Sequence, residues 1–218
     1  NTKELDMLAE KLILAACCTP AFKNYRSSPT DIPFPNTLCT SINEEVVHGI
    51  PDRVVVLQAG DIITLDIGLV YPGKTRGLIL DMATTVAVGK IPQEVRNLLH
   101  ATENALLAGI DAVRPGNFVH DISRAIQDVL LAGNYGIVRD LCGHGVGYEV
   151  HEDPYVLNYI LPKRYMEPVL LRPGMVLAIE PMATLGSPEI VLAKDGWTIS
   201  TRDKSLAAQF EHTVAVTE

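Results

Sequence analysis

Apolar side chains at Leu5, Leu8, Ala9 and Leu12 fall on one helical face over residues 1–16, and Asn1 with Glu4 three positions later has the form of a capping box. The next stretch, Thr19–Ser41, is rich in proline, serine and threonine and reads as an irregular loop. Helical spacing returns over Pro92–Gly109 and Phe118–Gly133, the latter through Ile122, Ala125, Ile126 and Val129. Between them, Arg114-Pro115-Gly116 stops a helix. Strand-like runs cover Asp61–Tyr71 and Leu78–Val88, with the turn-prone Pro72-Gly73-Lys74-Thr75-Arg76-Gly77 between them, which predicts an antiparallel hairpin. Further strands are expected at Met175–Ile179, Ile190–Ala193 and Gln209–Val216.

The pattern contains an echo. Leu57-Gln58-Ala59-Gly60 leads into the strand that reaches Asp66, and Leu171-Arg172-Pro173-Gly174 into the one that reaches Glu180. Asp81 opens Asp-Met-Ala-Thr-Thr-Val-Ala-Val, and Glu211 opens Glu-His-Thr-Val-Ala-Val. The expected architecture is therefore one α+β domain over residues 1–218, built from two related halves that each supply a pair of carboxylates.

Composition narrows the class of protein. Hydrophobic residues make up 47% and charged residues 20% of 218 residues, ordinary for a globular chain and incompatible with disorder. No apolar run approaches the roughly 18–20 residues of a membrane-spanning helix, and residues 1–10 read as amphipathic helix instead of a secretory signal. Cys17, Cys18, Cys39 and Cys142 form no C-x-x-C pair, which fits reduced thiols in the cytoplasm. A formal charge of −8 argues against a nucleic-acid binder and gives no support for docking on ribosomes.

Acids embedded in apolar strands carry the chemistry. Asp66 sits in Ile62-Ile63-Thr64-Leu65-Asp66-Ile67 and Glu180 in Val176-Leu177-Ala178-Ile179-Glu180-Pro181. Burying one unpaired carboxylate costs several kcal/mol. A salt bridge or an edge position would explain a single case. Four such acids (Asp66, Asp81, Glu180 and Glu211), with few basic residues nearby in sequence, are better explained by a bound cation. Carboxylates can bridge, so the set suits two divalent ions about 3–4 Å apart. Two such ions would share a water, lower its pKa and supply a hydroxide nucleophile for hydrolysis, while one polarises the substrate carbonyl.

The histidines differ in context. His144, in Cys142-Gly143-His144-Gly145-Val146-Gly147, is flanked by glycines that allow a sharp turn exposing the imidazole, and it is read as a ligand or catalytic group. His48 and His151 stand beside turn formers, and each taken alone reads as an ordinary surface or loop histidine. His100 and His120 fall on helical patterns and are read as structural. His212, next to Glu211 on a strand, should point away from the acids.

These residues together resemble the shorter-type methionine aminopeptidases, members of the pita-bread metallopeptidases. The matching segments are residues 41–51 (ending His48-Gly49-Ile50-Pro51), Gly60-Asp61-Ile62 through Asp66, Cys142–Gly147 with His151-Glu152-Asp153-Pro154, Ile179-Glu180-Pro181-Met182, Lys194-Asp195-Gly196-Trp197-Thr198 and Ser205–Thr213. The resemblance spans nearly the whole chain. It implies a pseudo-two-fold antiparallel sheet flanked by helices, and two divalent ions (cobalt, manganese, iron or zinc) on Asp66, Asp81, His144, Glu180 and Glu211. Asp81 and Glu211 would bridge, Glu180 would double as the proton shuttle, and His48 and His151 would hold the substrate backbone and stabilise the tetrahedral intermediate. Trp197, Cys39, Tyr25, Phe34 and Phe22 would line a methionine pocket. Substrates would be peptides and nascent chains beginning with methionine, met in the cytoplasm by a monomer, with the ribosome as the place of encounter.

Some features depart from that pattern. The turn between Asp66 and Asp81 is enlarged, as is the loop Arg26–Pro35. Val150 stands where a larger residue is common, and Ala207 replaces a hydroxyl residue associated with an auxiliary monovalent-cation site. By the same resemblance the chain begins at the family's second helix, so the family's N-terminal segment lies outside residues 1–218. Aminopeptidase P or proline dipeptidase would share the five ligands, and Gly143 through His151 leans toward them. His48-Gly49-Ile50-Pro51, Trp197 after Asp195-Gly196, and the lack of room for their extra N-terminal domain count against this. A non-catalytic pita-bread binding domain is the other alternative, but such domains usually lose ligands that are all present here.

Overall fold

The computed structural model describes residues 1–51, 55–73, 77–165 and 168–218. In chain order its elements are α1 (Thr2–Ala15), β1 (Thr19–Pro20), β2 (Leu38–Ile42), β3 (Glu45–Val47), β4 (Ile62–Tyr71), β5 (Leu78–Ala87), α2 (Gln93–Asp111) and α3 (Val119–Ala132). There follow β6 (Gly136–Ile137), β7 (Gly143–Gly145), β8 (Glu152–Val156), β9 (Val176–Ile179), β10 (Met182–Thr184), β11 (Ile190–Leu192), β12 (Ile199–Thr201), β13 (Ala207–Gln209) and β14 (His212–Ala215).

The capping box of α1 closes: the Glu4 amide donates to Asn1 Oδ1 at 3.1 Å and the Asn1 nitrogen to the Glu4 carboxylate at 2.9 Å. On its inner face the buried Asp6 accepts from the Thr37 and Leu38 amides at 2.9 and 3.0 Å and from the Asn36 side chain at 2.9 Å. This anchors the start of β2, where the structure corrects the sequence expectation. Thr19–Ser41 is not irregular throughout, because β1 and most of β2 lie inside it. Strand β2 is buried at four of its five positions, so it shows no alternation of apolar and polar residues, and its Thr-Ser pair resembles a loop.

The hairpin expected at 61–88 forms over ten paired positions, with Asp66 opposite Ala83 and Gly68 opposite Asp81. Residues 74–76 of its turn lie outside the described residues. On the far edge of β4 run β2 and β1. Helices α2 and α3 pack on each other and on the second half, where Leu98, Leu106, Ile122, Ile126 and Leu130 close over Leu177 and Ile179.

In that half, β9 lies between β7 and β14, whereas β10 lies between β13 and β6. The expected single strand Gln209–Val216 is therefore two strands, interrupted at Phe210-Glu211, and its neighbour is interrupted at Glu180-Pro181. Both chains change sheet at the residue that matters chemically. A fourth sheet joins β3, β12 and β11.

The repeat seen in the sequence extends to individual hydrogen bonds. The Gly60 amide donates to Val88 and the Val88 amide to Asp61, both at 2.8 Å; Gly174 donates to Val216 at 2.9 Å and Val216 to Met175 at 2.8 Å. Both glycines have positive φ, 107° and 93°, as the turn before each strand requires. The halves meet along β5 and β14. Ala83 and Glu211 exchange backbone bonds at 2.8 and 3.4 Å, and the Thr213 hydroxyl accepts from the Asp81 amide and donates to the Asp81 carbonyl, both at 2.8 Å. Among the described residues no helix is long and apolar enough to cross a membrane.

Candidate metal centre and substrate cavity

At this seam a cavity of about 70 Å³ is lined by Phe22, Tyr25, Ser27, Phe34, Cys39, His48, Asp66, Asp81, His144, Val150, His151, Glu180, Trp197, Gln209 and Glu211. Every site residue singled out in the sequence lines this one cavity. His100, His120 and His212 do not line it, as expected of them.

Asp66 reaches the cavity from the middle of β4 and Asp81 from β5, while Glu180 and Glu211 project at the two points where strands change sheet. His144 sits at the centre of β7. Its flanking glycines act differently from the sequence expectation: neither makes a sharp turn. A Cβ on Gly143 would lie 2.3 Å from the Ala178 carbonyl oxygen, and one on Gly145 would lie 2.3 Å from that of Asp153. Only glycine lets β7 slot between β8 and β9 and carry His144 to the acids.

The His144 Nδ1–H donates to the Gly145 carbonyl at 2.8 Å, which leaves Nε2 with its lone pair, 3.4 Å from Glu180. One ligand atom each from Asp81, His144 and Glu211 can be chosen within 4.8 Å of one another.

The electrostatics ask for a cation. The four acids are at most 8% exposed, and among the described residues no lysine or arginine lines the cavity. Asp66 Oδ1, Asp81 Oδ1 and Glu211 Oε1 are buried without a hydrogen-bond partner. With no cation between them, burial pushes Asp81 up to about 7. Burial, then repulsion from Asp81 and the other acids, pushes Asp66, Glu180 and Glu211 well above the usual carboxylate range. A hard, oxygen-rich donor set completed by one neutral imidazole fits divalent metal ions.

Burial lowers His48 to about 4, and burial with the nearby His144 and His48 lowers His151 to about 4, so both face the cavity as neutral imidazoles. His48 has φ +58°. Beside it Gly49 presses on β2 so closely that a Cβ would lie 2.2 Å from the Thr40 carbonyl oxygen. Its ring meets Trp197 edge to face at 6.1 Å, and Trp197 meets Phe34 at 5.4 Å.

Phe22, Phe34, Cys39, Val150 and Trp197 give the opposite wall an apolar, sulfur-containing surface. Burial and the adjacent Asp66 raise the Cys39 thiol well above its usual value, so it behaves as a small neutral hydrophobe.

Sequence reasoning assigned no role to Gln209, which is 1% exposed and donates from Nε2 to the second oxygen of Glu180 at 3.1 Å. The available signal was its spacing of two from Glu211, but the break at Phe210-Glu211 hides that relation. Ser27, on the enlarged loop, was also missed.

The sequence profile of metallopeptidase family M24 matches residues 3–218. The chain belongs to this family. As an M24 peptidase it is 42% identical over 218 residues to a methionine aminopeptidase of Borreliella burgdorferi, covering all of this chain and 82% of that one. The crystal structure of a methionine aminopeptidase from Thermotoga maritima superposes with a TM-score of 0.91 at 38% identity, over 100% of this chain and 82% of that one. A prolidase from Pyrococcus horikoshii shares the fold alone, at 21% identity and a TM-score of 0.72 over 99% of this chain and 51% of that one.

Proposed function

We propose that this M24 peptidase removes an N-terminal methionine from peptides and nascent proteins, using two divalent ions (cobalt, manganese, iron or zinc) held by Asp66, Asp81, His144, Glu180 and Glu211. The observation that carries the reading is one cavity with two walls, four buried acids on one, three of them bearing an unpartnered oxygen, and a soft aromatic and sulfur surface on the other. Asp81, on β5, and Glu211, at the break before β14, flank the seam where Ala83 and Glu211 exchange backbone bonds and are the bridging ligands in this reading. The ions would supply Lewis acidity at the scissile carbonyl and acidify water.

The remaining work falls to side chains. Glu180, steadied by Gln209, takes the proton from the attacking water and passes it to the departing amine. His48 and His151, kept neutral, donate hydrogen bonds to the substrate backbone and to the oxygen that gains charge. The methionine thioether lies against Phe22, Phe34, Cys39, Val150 and Trp197, where shorter side chains forfeit apolar contact and polar ones lose hydration. The enzyme meets these substrates in the cytoplasm, as a monomer.

The test is hydrolysis of Met-Ala-Ser and Gly-Pro-Ala by metal-stripped protein given Co²⁺, Mn²⁺, Fe²⁺ or Zn²⁺, alongside Glu180→Ala. Metal-dependent release of methionine alone, lost in the variant, is the expected result. Cleavage ahead of proline would move the chain to the prolidase side of the family, and absence of metal binding would end the catalytic reading.

A further inference from the structure

The enlarged loop after Tyr25 is tied down at its base, within itself and at its tip. At its base the Asn24 amide donates to the Phe34 carbonyl at 2.8 Å and the Phe34 amide to the Tyr25 carbonyl at 2.9 Å. Inside it, Arg26 Nη1 donates to the carbonyls of Asp31 and Pro29 at 3.1 and 3.4 Å. At its tip the Ile32 carbonyl accepts from Trp197 Nε1 at 2.9 Å.

This framework fixes Tyr25, whose side chain does more than line a pocket. Its phenol oxygen lies 2.7 Å from His151 Nδ1, the rings crossing at 62° with centroids 5.5 Å apart. Among the described residues this is the hydrogen bond that His151's ring makes. On its other side the imidazole packs against His144 at 4.4 Å. With Nδ1 committed to Tyr25, Nε2 is the nitrogen left for the cavity.

We propose that Tyr25 is a positioning residue for His151: its O–H donates to Nδ1, which places the imidazole proton on Nε2, toward the substrate. The inference rests on reading His151 as a donor to the substrate backbone. If Nδ1–H donated to the phenol instead, Nε2 would be a bare acceptor and could not serve a carbonyl oxygen. Burial raises the Tyr25 phenol above its usual pKa, against a hydrogen bond from Ser27 and with help from the charges of Glu149 and Asp31, so the donor proton is retained.

The test uses Zn²⁺-loaded protein labelled with ¹⁵N at histidine, as wild type, Tyr25→Phe, His151→Ala and the double variant. In the wild type the His151 signals should show protonated Nε2 and bare Nδ1; in Tyr25→Phe they should move toward a mixture of tautomers. On Met-Ala-Ser, kcat should fall about 10-fold in Tyr25→Phe with KM nearly unchanged, the lower end of the effect expected of a group that orients an active-site ligand. In the His151→Ala background the same substitution should cost nothing further. An unchanged ¹⁵N pattern in Tyr25→Phe, or costs that add in the double variant, would overturn the proposal. Failure of the wild type to release methionine would instead count against the peptidase reading, while the ¹⁵N comparison would still report on the tautomer.

Discussion

The two antiparallel strand pairs that meet at the cavity, β4 with β5 and β9 with β14, follow one plan up to the acids and then part. In the first, β4 and β5 pair without a break over ten positions, and Asp66 and Asp81 project from the middle of regular strand. In the second, both strands change sheet, at Glu180-Pro181 and at Phe210-Glu211. The number of residues between each acid and its closing valine differs too, with Asp81 seven before Val88 and Glu211 five before Val216.

The regular half leaves an oxygen of each acid without a partner. The broken half gives Glu180 two neighbours, His144 Nε2 at 3.4 Å and Gln209 Nε2 at 3.1 Å. A regular ladder suffices to place charge. Breaking it lets other strands approach one acid and steer its proton. The comparison assigns charge-holding to both halves and proton transfer to the second alone.

The strongest way to break that assignment is to remove one acid from each half. Asp81→Asn and Glu211→Gln should both abolish tight metal binding, each by more than the ~10–100-fold that changes behind the ligands cost. Metal content after dialysis, with kcat/KM, measures this; retention of full metal by either variant would dissolve the equivalence of the halves. Next in size is Glu180→Gln, expected to lower kcat by about 10²–10⁴-fold, as loss of a general base and acid does. If Asp66→Asn, assayed at saturating metal, costs as much in kcat, proton transfer does not belong to the second half. A smaller effect, about 10-fold in kcat, is expected for Gln209→Met, which removes the bond to Glu180 while keeping the volume.

The smallest effect concerns the metal-free protein. Asp81 is held near 7 in the fold against 3.8 unfolded. The folded state thus keeps a proton that the unfolded chain releases. Destabilisation is absent below about pH 3.8, accumulates as pH rises, and is complete above about 7. Metal-stripped protein should melt at a lower temperature at pH 8 than at pH 5, and added divalent metal should reverse the difference. A flat profile would mean that the acids already have partners.

Much of the site was legible because acids in apolar strands violate the usual partition of charge, so Asp66 and Glu180 stand out without any structure. The echo through Gly60 and Gly174 was legible because a positive-φ turn needs glycine in both copies. Strand β2 was not, since burial on both faces erases alternation. The role of Gly143 and Gly145 was misread because a glycine required for close backbone approach looks, in sequence, like one required for a turn. Tyr25 was read as a pocket lining, and its bond to His151 joins residues 126 positions apart in the chain, which no local pattern records.

The paired bonds between Ala83 and Glu211 also bear on how the molecule opens. Each half owns two of the four acids, so neither can swing away without dismantling the site. Solvent exchange of the Ala83 and Glu211 amides should therefore proceed through global opening, not fraying of one half. By mass action a bound ion would protect both amides in parallel, although only one of the two residues touches it. In this sense the centre is a clasp between two halves of one chain, and its loading can be read in the exchange rate of a residue that never coordinates anything.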